Sequence, residues 1–400
     1  MSVKKMNIEK SNTNCTGCQA CVEICPKQCI RMEANKEGFL YPHVDNNGCV
    51  DCGLCTKRCP ANYPLKRSDG VREAFQAVSK LPQKENSSSG GCFYTMAKSV
   101  ILENGIVFGA GFDENFHVQH MWVDSVDELY KLQGSKYVQS DIKNSYKQAK
   151  SFLQQGKKVL FSGTPCQVAG LYAALGNNWQ NLITVDLICH GTPGTHLWDN
   201  YVLMRNHEKK IQNIRFRVKS KNDKSSYKLL FQYIDGTYKI IRAEEDAYFS
   251  SFLKNESLRE SCYSCQYATL SRCGDITLGD CATAVKYTKE DFKPFEAVSS
   301  ILINSEKGKE LWNNISDQLE WKALDVQNES LENHQLSRAT TRPKSRDTAL
   351  KRGNLYNILE NNNAILEYPV RGVQKIKYMI TDSLTIKMRY RLKSLQKRKK

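Results

Sequence analysis

Two stretches of this 400-residue chain share one cysteine pattern: CTGCQACVEICP runs from Cys15 to Pro26, and CVDCGLCTKRCP runs from Cys49 to Pro60. Each has the spacing C-x2-C-x2-C-x3-C-P, and the second repeats the first 34 residues later. Three thiolates two residues apart can bind one face of an iron–sulfur cubane, whereas the fourth points toward a neighbouring cluster. The repeat therefore predicts a small domain with two 4Fe-4S clusters.

The two stretches resemble the bacterial two-cluster ferredoxins residue by residue. The resemblance implies that each cluster takes its fourth ligand from the other repeat. The two sets are Cys15, Cys18, Cys21 and Cys59 for the first cluster, and Cys49, Cys52, Cys55 and Cys25 for the second. A pair of zinc sites is the alternative, but zinc prefers ligands in two spaced pairs. Cys29 lies outside the pattern and is interpreted as a small buried apolar residue.

Cysteine distribution and charge limit the class of protein. Nine of the 16 cysteines fall between Cys15 and Cys59, which indicates a local metal-binding segment rather than a disulfide scaffold. The first residues lack the apolar segment of a signal peptide, and no apolar run reaches the ~18 residues of a membrane span, so a cytoplasmic protein is expected. The formal net charge is +16. Because no recognition motif accompanies this charge, no nucleic-acid partner is expected.

After a linker at 60–72, short apolar strands alternate with helix-compatible segments, as in α/β proteins. The predicted strands are 74–79, 105–112, 117–123, 158–163 and 183–189, and the predicted helices are 92–103, 141–155 and 166–175. Further strands at 214–220, 227–234 and 237–242 predict an antiparallel hairpin region, with its turn at Asp235–Gly236. The predicted fold combines a small α+β ferredoxin domain with a mixed α/β domain. Between the cluster loops of the ferredoxin domain, a hairpin is expected that includes the β-prone run FLYPHV at 39–44.

Three segments of the α/β part carry residues suited to binding a ligand. NSSSGGCF (86–93) is a Ser/Gly nest before a helix, which suits a phosphate or a flat ring. QGSKYVQSD (133–141) offers a cation, an aromatic face and an amide at Lys136, Tyr137 and Gln139. SGTPC (162–166) lies between a strand and a helix, where α/β proteins bind ligands.

NSSSGG, GSKYVQS, LFSGTPCQVAGL, VDLICHGTP, IRFRVKS and SCYSCQYA followed by GDITLGD together resemble the coenzyme F420 hydrogenase/dehydrogenase beta-subunit family, over about residues 15–305. The resemblance implies a flavin, FAD, bound by the α/β part, and an additional iron–sulfur cluster nearby. Cys281 and Ala282 follow GDITLGD, where the family commonly has an aromatic residue, so the substrate transfers less readily than the cofactor. The residues implied around the flavin are Ser87, Ser88, Ser89, Gly90, Gly91, Gly134, Ser135, Lys136, Tyr137, Gln139, Ser140, Gly163, Thr164, Pro165 and Gln167.

The third cluster needs four further thiolates. Two loop cysteines and one C-x2-C pair can provide them: Cys166, Cys189, Cys262 and Cys265. The alternatives are buried apolar cysteines, a zinc half-site or a redox dithiol.

The expected function is that of an iron–sulfur flavoprotein oxidoreductase, which passes electrons between a ferredoxin or other redox carrier and a small-molecule substrate. Lys136 is a candidate to stabilise an anionic reduced flavin, and His190 is a candidate proton donor, with a structural histidine as the alternative. An electron-transfer subunit that feeds a partner enzyme, or a scaffold without redox activity, would also fit the sequence.

The predicted domain organisation has four parts: the ferredoxin domain at 1–66, the flavin-binding region at 67–155, a C-terminal beta-subunit region at 156–305, and a helical extension at 306–400. The extension includes an amphipathic segment at 309–321. The last 17 residues carry eight Lys or Arg and no acid. This basic tail is interpreted as a solvated tail, a membrane-surface contact or a dock for an acidic electron carrier.

Overall fold

A computed structural model describes residue 8 and residues 14–65, 70–176, 179–218, 227–286 and 297–368. The described residues form a two-stranded, a three-stranded and an eight-stranded sheet. Part of the predicted linker and the whole basic tail at 384–400 lie outside the described residues. No helix within the described ranges combines the length and the apolar character needed to cross a membrane.

The two cluster loops enclose a β-hairpin, as predicted. The elements of this part are α1 (Ala20–Ile24), β1 (Ile30–Ala34), β2 (Leu40–Val44) and α2 (Leu54–Lys57). The two strands pair antiparallel, with Ile30 opposite Val44. Each helix begins directly after a residue in the left-handed region, Gln19 and Gly53, at equivalent positions of the repeat.

The eight-stranded sheet organises the remainder of the chain. The strands that follow the hairpin are β3 (Glu73–Ser79), β4 (Ile106–Phe112), β5 (Val118–Val123), β6 (Val159–Gly163), β7 (Leu182–Leu187), β8 (Ile211–Phe216), β9 (Lys228–Tyr233), β10 (Tyr238–Arg242), β11 (Ile276–Asp280), β12 (Ser299–Ile303) and β13 (Leu319–Ala323). The sheet order is β13-β3-β12-β11-β7-β6-β4-β5. Its centre, β11-β7-β6-β4, is parallel, and the outer strands pair antiparallel.

Helices cover both faces of this sheet. The remaining helices are α3 (Cys92–Leu102), α4 (Ser145–Gln154), α5 (Pro165–Leu175), α6 (Thr195–Glu208), α7 (Ala247–Leu253), α8 (Glu306–Ile315), α9 (Val326–Glu332), α10 (Arg346–Lys351) and α11 (Asn354–Leu359). One core joins α3 and α8 to one face of the sheet, and a second joins α4 and α5 to the other. Successive residues of β6 point to opposite faces, since Leu160 lies in the first core and Phe161 in the second. This arrangement matches a mixed α/β fold.

The ferredoxin part and the antiparallel sheet both pack against this body. Cys18, Ala20 and Ile24 form a small cluster with Ala173 of α5. The three-stranded sheet has the order β10-β9-β8 and shares a core with α6 and α7, centred on the fully buried Trp198 and Tyr248. The predicted turn at Asp235–Gly236 joins β9 to β10, and Gly236 has a φ of 81°.

The predicted elements from 74 to 242 are confirmed, with changes at their ends. The strand expected at 214–220 is Ile211–Phe216, and residues 219–220 lie outside the described residues. The helix expected from 141 begins at Ser145, and the strand expected to 189 ends at Leu187.

The helical interpretation of 309–321 is wrong at its end. The helix stops at Ile315, and Leu319–Ala323 is an edge strand that pairs antiparallel with β3. Trp321 and Trp312 pack around Phe75, so aromatic contacts across the sheet edge favour the strand. The segment from 306 therefore extends the main sheet as well as adding helices.

Candidate functional site: cysteine clusters beside a deep cavity

The structure brings the four cysteines of the first predicted ligand set together. Burial raises the pKa of Cys18 to about 12, and the charges of Cys15 and Cys59 act in the same direction. Burial likewise raises the pKa of the Cys21 thiol, reinforced by Cys18, Cys15 and Cys59. Such a group of buried, mutually repelling thiols suits a cationic iron core, which stabilises the thiolate form.

The same backbone turn occurs in both repeats. The Gly17 N–H donates to Cys15 Sγ at 3.3 Å, and the Asp51 N–H donates to Cys49 Sγ at 3.4 Å. Gly17 and Asp51 both have positive φ, 66° and 53°. The N–H to sulfur contact therefore does not itself require glycine.

Cys29 lies closer to the second cysteine set than its sequence position suggested. Its Sγ is 3.4 Å from Cys25 Sγ, and its thiol also lies beside that of Cys49. The residue is half-buried within the apolar cluster of the ferredoxin part. The second loop is the more open one, since Cys52 is exposed.

The four cysteines proposed for a third cluster line one small cavity of about 40 Å³. Cys166 lies in the first turn of α5, Cys189 follows β7, and Cys262 and Cys265 belong to and follow a 3-10 turn at Glu260–Ser264. Burial raises the pKa of Cys166 to about 12, and the nearby thiols of Cys265 and Cys262 add to the shift. Four thiols around one space form the donor set of a cubane.

Thr16 brings the first ferredoxin loop to the wall of this small cavity. Its buried hydroxyl has no hydrogen-bond partner within the described residues. Where the chain is described, no three His, Cys, Asp or Glu side chains converge as the ligands of a single metal ion would. A four-iron cluster occupies the space between its cysteines and so holds them farther apart.

A second cavity of about 610 Å³ opens beside the first, at the carboxyl ends of the parallel strands. Its volume is in the range of small-molecule and cofactor sites. Thirteen of the residues implied around the flavin line it: Ser87, Ser88, Ser89, Gly91, Gly134, Ser135, Lys136, Tyr137, Gln139, Ser140, Gly163, Thr164 and Gln167. Gly90 lies behind the wall, where its N–H donates to Ser299 Oγ, and Pro165 lines the cysteine cavity instead.

Hydrogen bonds hold the three segments that were predicted to bind a ligand against one another. The Ser135 N–H donates to Ser88 Oγ at 2.7 Å, which joins the Ser/Gly nest to the second segment. Gln167 Nε2 donates to Ser140 Oγ at 2.9 Å, which joins the second segment to α5. Thr164 and Gln167 form a capping box at the start of that helix.

Lys136 places a cation at the wall of the large cavity. Its Nζ donates to the carbonyl oxygens of Gln133 at 2.9 Å and Lys131 at 3.2 Å. Burial lowers the pKa of the Lys136 ammonium to about 7. A negatively charged ligand in the cavity would stabilise the protonated form.

His190 lies between the two cavities and lines both. Its Nε2 lies 2.5 Å from Asn255 Oδ1, and its Nδ1 lies 3.2 Å from Gln335 Nε2. An amide oxygen accepts and an amide nitrogen donates, so these contacts match a neutral ring that carries its proton on Nε2. Burial also lowers the pKa of His190. These contacts favour a role in orienting the Cys189–Gly191 loop.

Sequence reasoning missed part of the cavity wall. Arg217, which has a φ of 60°, forms an ion pair with Asp280, and its guanidinium lies 4.7 Å from the ring centre of Tyr227. Asn333 and Gln335 reach the same cavity from the segment after 305. Arg217 stands in the quoted segment IRFRVKS and could have been selected by that motif, whereas Asn333 and Gln335 carry no local signal.

Residues after GDITLGD form a wall that is held by a buried carboxylate. Glu329, fully buried in α9, accepts hydrogen bonds from the N–H groups of Ala282 and Thr283 at 3.0 Å and from Ser300 Oγ at 2.9 Å. Ala282 lines the large cavity. The departure from the family pattern at this point thus lies at the cavity wall.

The two cavities are contiguous. They share five lining residues: Thr164, Cys189, His190, Gly191 and Thr192. The first ferredoxin loop, the small cysteine cavity and the large cavity therefore follow one another through the protein. Such an order suits stepwise electron transfer between a surface and a buried cofactor.

Two known protein families match separate parts of the chain. Residues 156–328 match the family that describes the C terminus of the coenzyme F420 hydrogenase/dehydrogenase beta subunit, and residues 14–63 match the 4Fe-4S dicluster domain. The resemblance stated from the sequence is confirmed by these two matches.

Individual relatives match parts of the chain. The coenzyme F420-dependent sulfite reductase of Methanocaldococcus jannaschii is 26% identical over 169 residues, 42% of this chain and 26% of that protein. The chain therefore spans about a quarter of the length of that relative. A ferredoxin 7Fe of Hydrogenibacillus schlegelii is 34% identical over 58 residues, 14% of this chain and 67% of the ferredoxin.

One solved structure aligns over most of the chain. It is a chain of the F420-reducing NiFe hydrogenase complex from Methanosarcina barkeri, with a TM-score of 0.45 and 15% identity over 76% of this chain and 99% of that one.

Proposed function

We propose that this chain, which joins a 4Fe-4S dicluster domain to the C-terminal domain of the coenzyme F420 hydrogenase/dehydrogenase beta subunit, is an electron-transfer oxidoreductase with three 4Fe-4S clusters and a flavin. It would pass electrons between a ferredoxin-type carrier and a small-molecule acceptor. The observation that carries the proposal is the contiguity of the two cavities: four cysteines surround the smaller, and five residues line both.

The residues present fit the proposed groups. Cys166, Cys189, Cys262 and Cys265 would hold the third cluster, since they supply four thiols around one space. The large cavity would hold FAD, with the Ser/Gly nest at Ser87–Gly91 toward its phosphates. When bound, a flavin exchanges electrons singly with clusters and in pairs with a substrate.

Lys136 and His190 would have different roles at the large cavity. Protonated Lys136 presents its ammonium at the cavity wall and would stabilise negative charge that develops on a reduced cofactor. Its backbone acceptors, the carbonyls of Gln133 and Lys131, hold that charge in place without neutralising it. His190 would orient the loop that carries Cys189, because Asn255 and Gln335 bind both of its ring nitrogens.

Exchange with a carrier is expected at the second cluster loop. Cys52 is exposed, and the neighbouring Val50 and Leu54 are 55% and 39% exposed. The first loop is covered by the body, since Cys15 and Cys18 are buried. Electrons would therefore cross the ferredoxin part from the second loop to the first before they reach the cavities.

The test is the cofactor content and reduction of the anaerobically purified full chain. We expect about twelve iron atoms per chain and one flavin, with bleaching of the flavin bands on addition of reduced ferredoxin. A colourless, iron-free protein would refute the proposal, and so would iron without flavin reduction. Turnover of a substrate by the single chain would separate a complete enzyme from an electron-transfer subunit.

A further inference from the structure

Arg259 is buried at the junction between the first ferredoxin loop and the body, with 1% of its surface exposed. Its NH1 donates to the Cys15 carbonyl oxygen at 3.2 Å and its NH2 to the Leu40 carbonyl oxygen at 2.7 Å. Its Nε donates to Gln139 Oε1 at 3.1 Å. One side chain thus binds the first cluster loop, the hairpin and the segment that lines the large cavity.

The acceptors around this guanidinium are neutral. Other buried arginines have carboxylate partners, such as Arg205 with Asp246 and Arg272 with Asp186. Arg259 has no ion pair within the described part of the chain. A buried charge without a counter-charge costs several kcal/mol, so a charge of opposite sign is expected beside it in the working protein.

Arg259 lies beside residues of two different cysteine ligand sets, and bound clusters would bring negative charge to both. The guanidinium donates to the Cys15 carbonyl oxygen, and Thr16, the next residue, lines the small cavity together with Cys166 and Cys262. The Arg259 carbonyl oxygen also accepts a hydrogen bond from the Cys262 N–H at 2.9 Å. Cys15 belongs to the first ferredoxin set, and Cys166 and Cys262 belong to the proposed third set. Arg259 therefore lies where its field reaches both sites.

Aromatic rings fix the plane of the guanidinium. Its carbon lies 4.6 Å from the ring centre of Tyr41 and 5.1 Å from that of Phe39. Gln139 binds the same loop, because its Nε2 donates to the Thr16 carbonyl oxygen at 2.8 Å. The position of the charge is thus set from several sides.

We propose that Arg259 is the positioning residue that supplies the counter-charge for the first and third clusters and makes their reduction easier. This inference rests on the proposed function for the third cluster. Four thiolates give a 4Fe-4S site a net negative charge, and reduction adds one electron from the carrier and no proton. Arg259 stabilises the more negative state of both sites and so raises their reduction potentials.

The experiment compares the wild type with Arg259→Gln, Arg259→Lys and Tyr146→Phe in the full chain, purified anaerobically. Each protein undergoes a redox titration followed by electron paramagnetic resonance. Tyr146→Phe is the matched control: the Tyr146 hydroxyl donates to the Cys18 carbonyl oxygen at 2.9 Å, so its loss removes a contact with the same loop but no charge.

We expect Arg259→Gln to shift the potentials of the first and third clusters to more negative values. The second cluster, bound by the Cys49–Cys55 loop and Cys25, is the internal reference and should keep its potential. Arg259→Lys and Tyr146→Phe should stay close to the wild type. The proposal is overturned if Arg259→Gln leaves the potentials unchanged, if Tyr146→Phe shifts them equally, or if all three clusters shift together.

If Arg259→Gln fails to retain iron, Arg259→Lys decides. A lysine variant with wild-type iron content and potentials supports the role of the charge, whereas one that loses iron or has lowered potentials overturns it. A wild type without flavin or third cluster would contradict the proposed function. The shift of the first cluster would then still test Arg259 by itself.

Discussion

Gly17 allows the body to approach the first cluster loop, and its replacement by alanine should loosen that loop. A Cβ at this position would lie 2.6 Å from both Arg259 NH2 and Gln139 Nε2. Carbon contacts are comfortable only at about 3.5–4.0 Å, so both side chains would have to move by roughly 1 Å. Neither can move freely, because both are buried and hydrogen-bonded to the loop.

Gly17→Ala should lower the free energy of opening of the first loop through two separate effects. The left-handed backbone, with a φ of 66°, costs an alanine about 1–2 kcal/mol. Displacement of Gln139 and Arg259 weakens one neutral and one charged hydrogen bond, for a further ~2–4 kcal/mol. The total is about 3–6 kcal/mol, or at least a hundredfold change in the opening equilibrium of the loop.

Gly53→Ala is the matched control. Gly53 has a φ of 71°, but a Cβ there would meet nothing within 4 Å. The Gly53→Ala substitution should therefore cost only the backbone term of about 1–2 kcal/mol, which changes the opening equilibrium of the second loop by a factor of roughly 5–30.

The assay is hydrogen exchange followed by mass spectrometry on the anaerobic full chain, with peptides that cover 15–26 and 49–60. Gly17→Ala should raise exchange in the first peptide by about a hundredfold or more and leave the second unchanged. Equal effects of the two substitutions, each on its own loop, would refute the argument that Arg259 and Gln139 require this glycine.

Three further outcomes are expected. Cys262→Ser should lower the iron content from about twelve to about eight per chain, with the spectra of both ferredoxin clusters kept, and an unchanged iron content would contradict the third ligand set. Lys136→Met should make the flavin potential more negative at about pH 6, where the wild-type lysine is charged. Because burial lowers the pKa of Lys136 from its usual value, the difference should fade as the pH rises through that pKa, and a pH-independent difference in redox titrations would contradict the role of the charge. Glu329→Gln keeps one acceptor oxygen and places an amide NH2 opposite either the Thr283 N–H or the Ala282 N–H and Ser300 hydroxyl. It should lower the unfolding free energy by ~1–3 kcal/mol per donor left unpaired, as measured by denaturant unfolding with Ser330→Ala as the control.

Most of the fold could be predicted from the cysteine repeat and the apolar strand pattern. Short-range spacing determines which cysteines can share a cubane, and apolar periodicity determines the parallel strands, so both are readable from local sequence. The strand at Leu319–Ala323 was missed because its residues, LEWKA, follow an amphipathic helix and expose four of five positions. Its conformation depends on pairing with β3 and on the Phe75 and Trp312 rings, which are distant in sequence.

The candidate site was predictable where its residues form motifs. The Ser/Gly nest and the GSKYVQS and SGTPC segments lie together at one cavity, and the position of SGTPC at the end of a strand suggested a ligand site there. Arg259, Tyr146 and Gln335 were not predictable in the same way. Each contacts a loop that is distant in sequence, namely the Cys15 carbonyl, the Cys18 carbonyl and the His190 ring. Such contacts leave no period or spacing in the sequence.

The two copies of the repeat offer a signal that could have located the buried cluster loop. They share a backbone turn, so differences between equivalent residues report on their surroundings rather than on cluster binding. The first copy has glycine where the second has Asp51, and it has Gln19, which donates to Asp141 Oδ1 of the body at 2.8 Å, where the second has the open Gly53.

Thr16 lines the cysteine cavity, whereas its counterpart Val50 is 55% exposed. The first copy thus has Gly17 in place of Asp51, Gln19 in place of Gly53, and Thr16 in place of Val50. Those exchanges are the ones expected where a loop passes from solvent to a packed polar junction. The asymmetry of an internal repeat therefore indicates which of the two loops faces the body and which remains exposed.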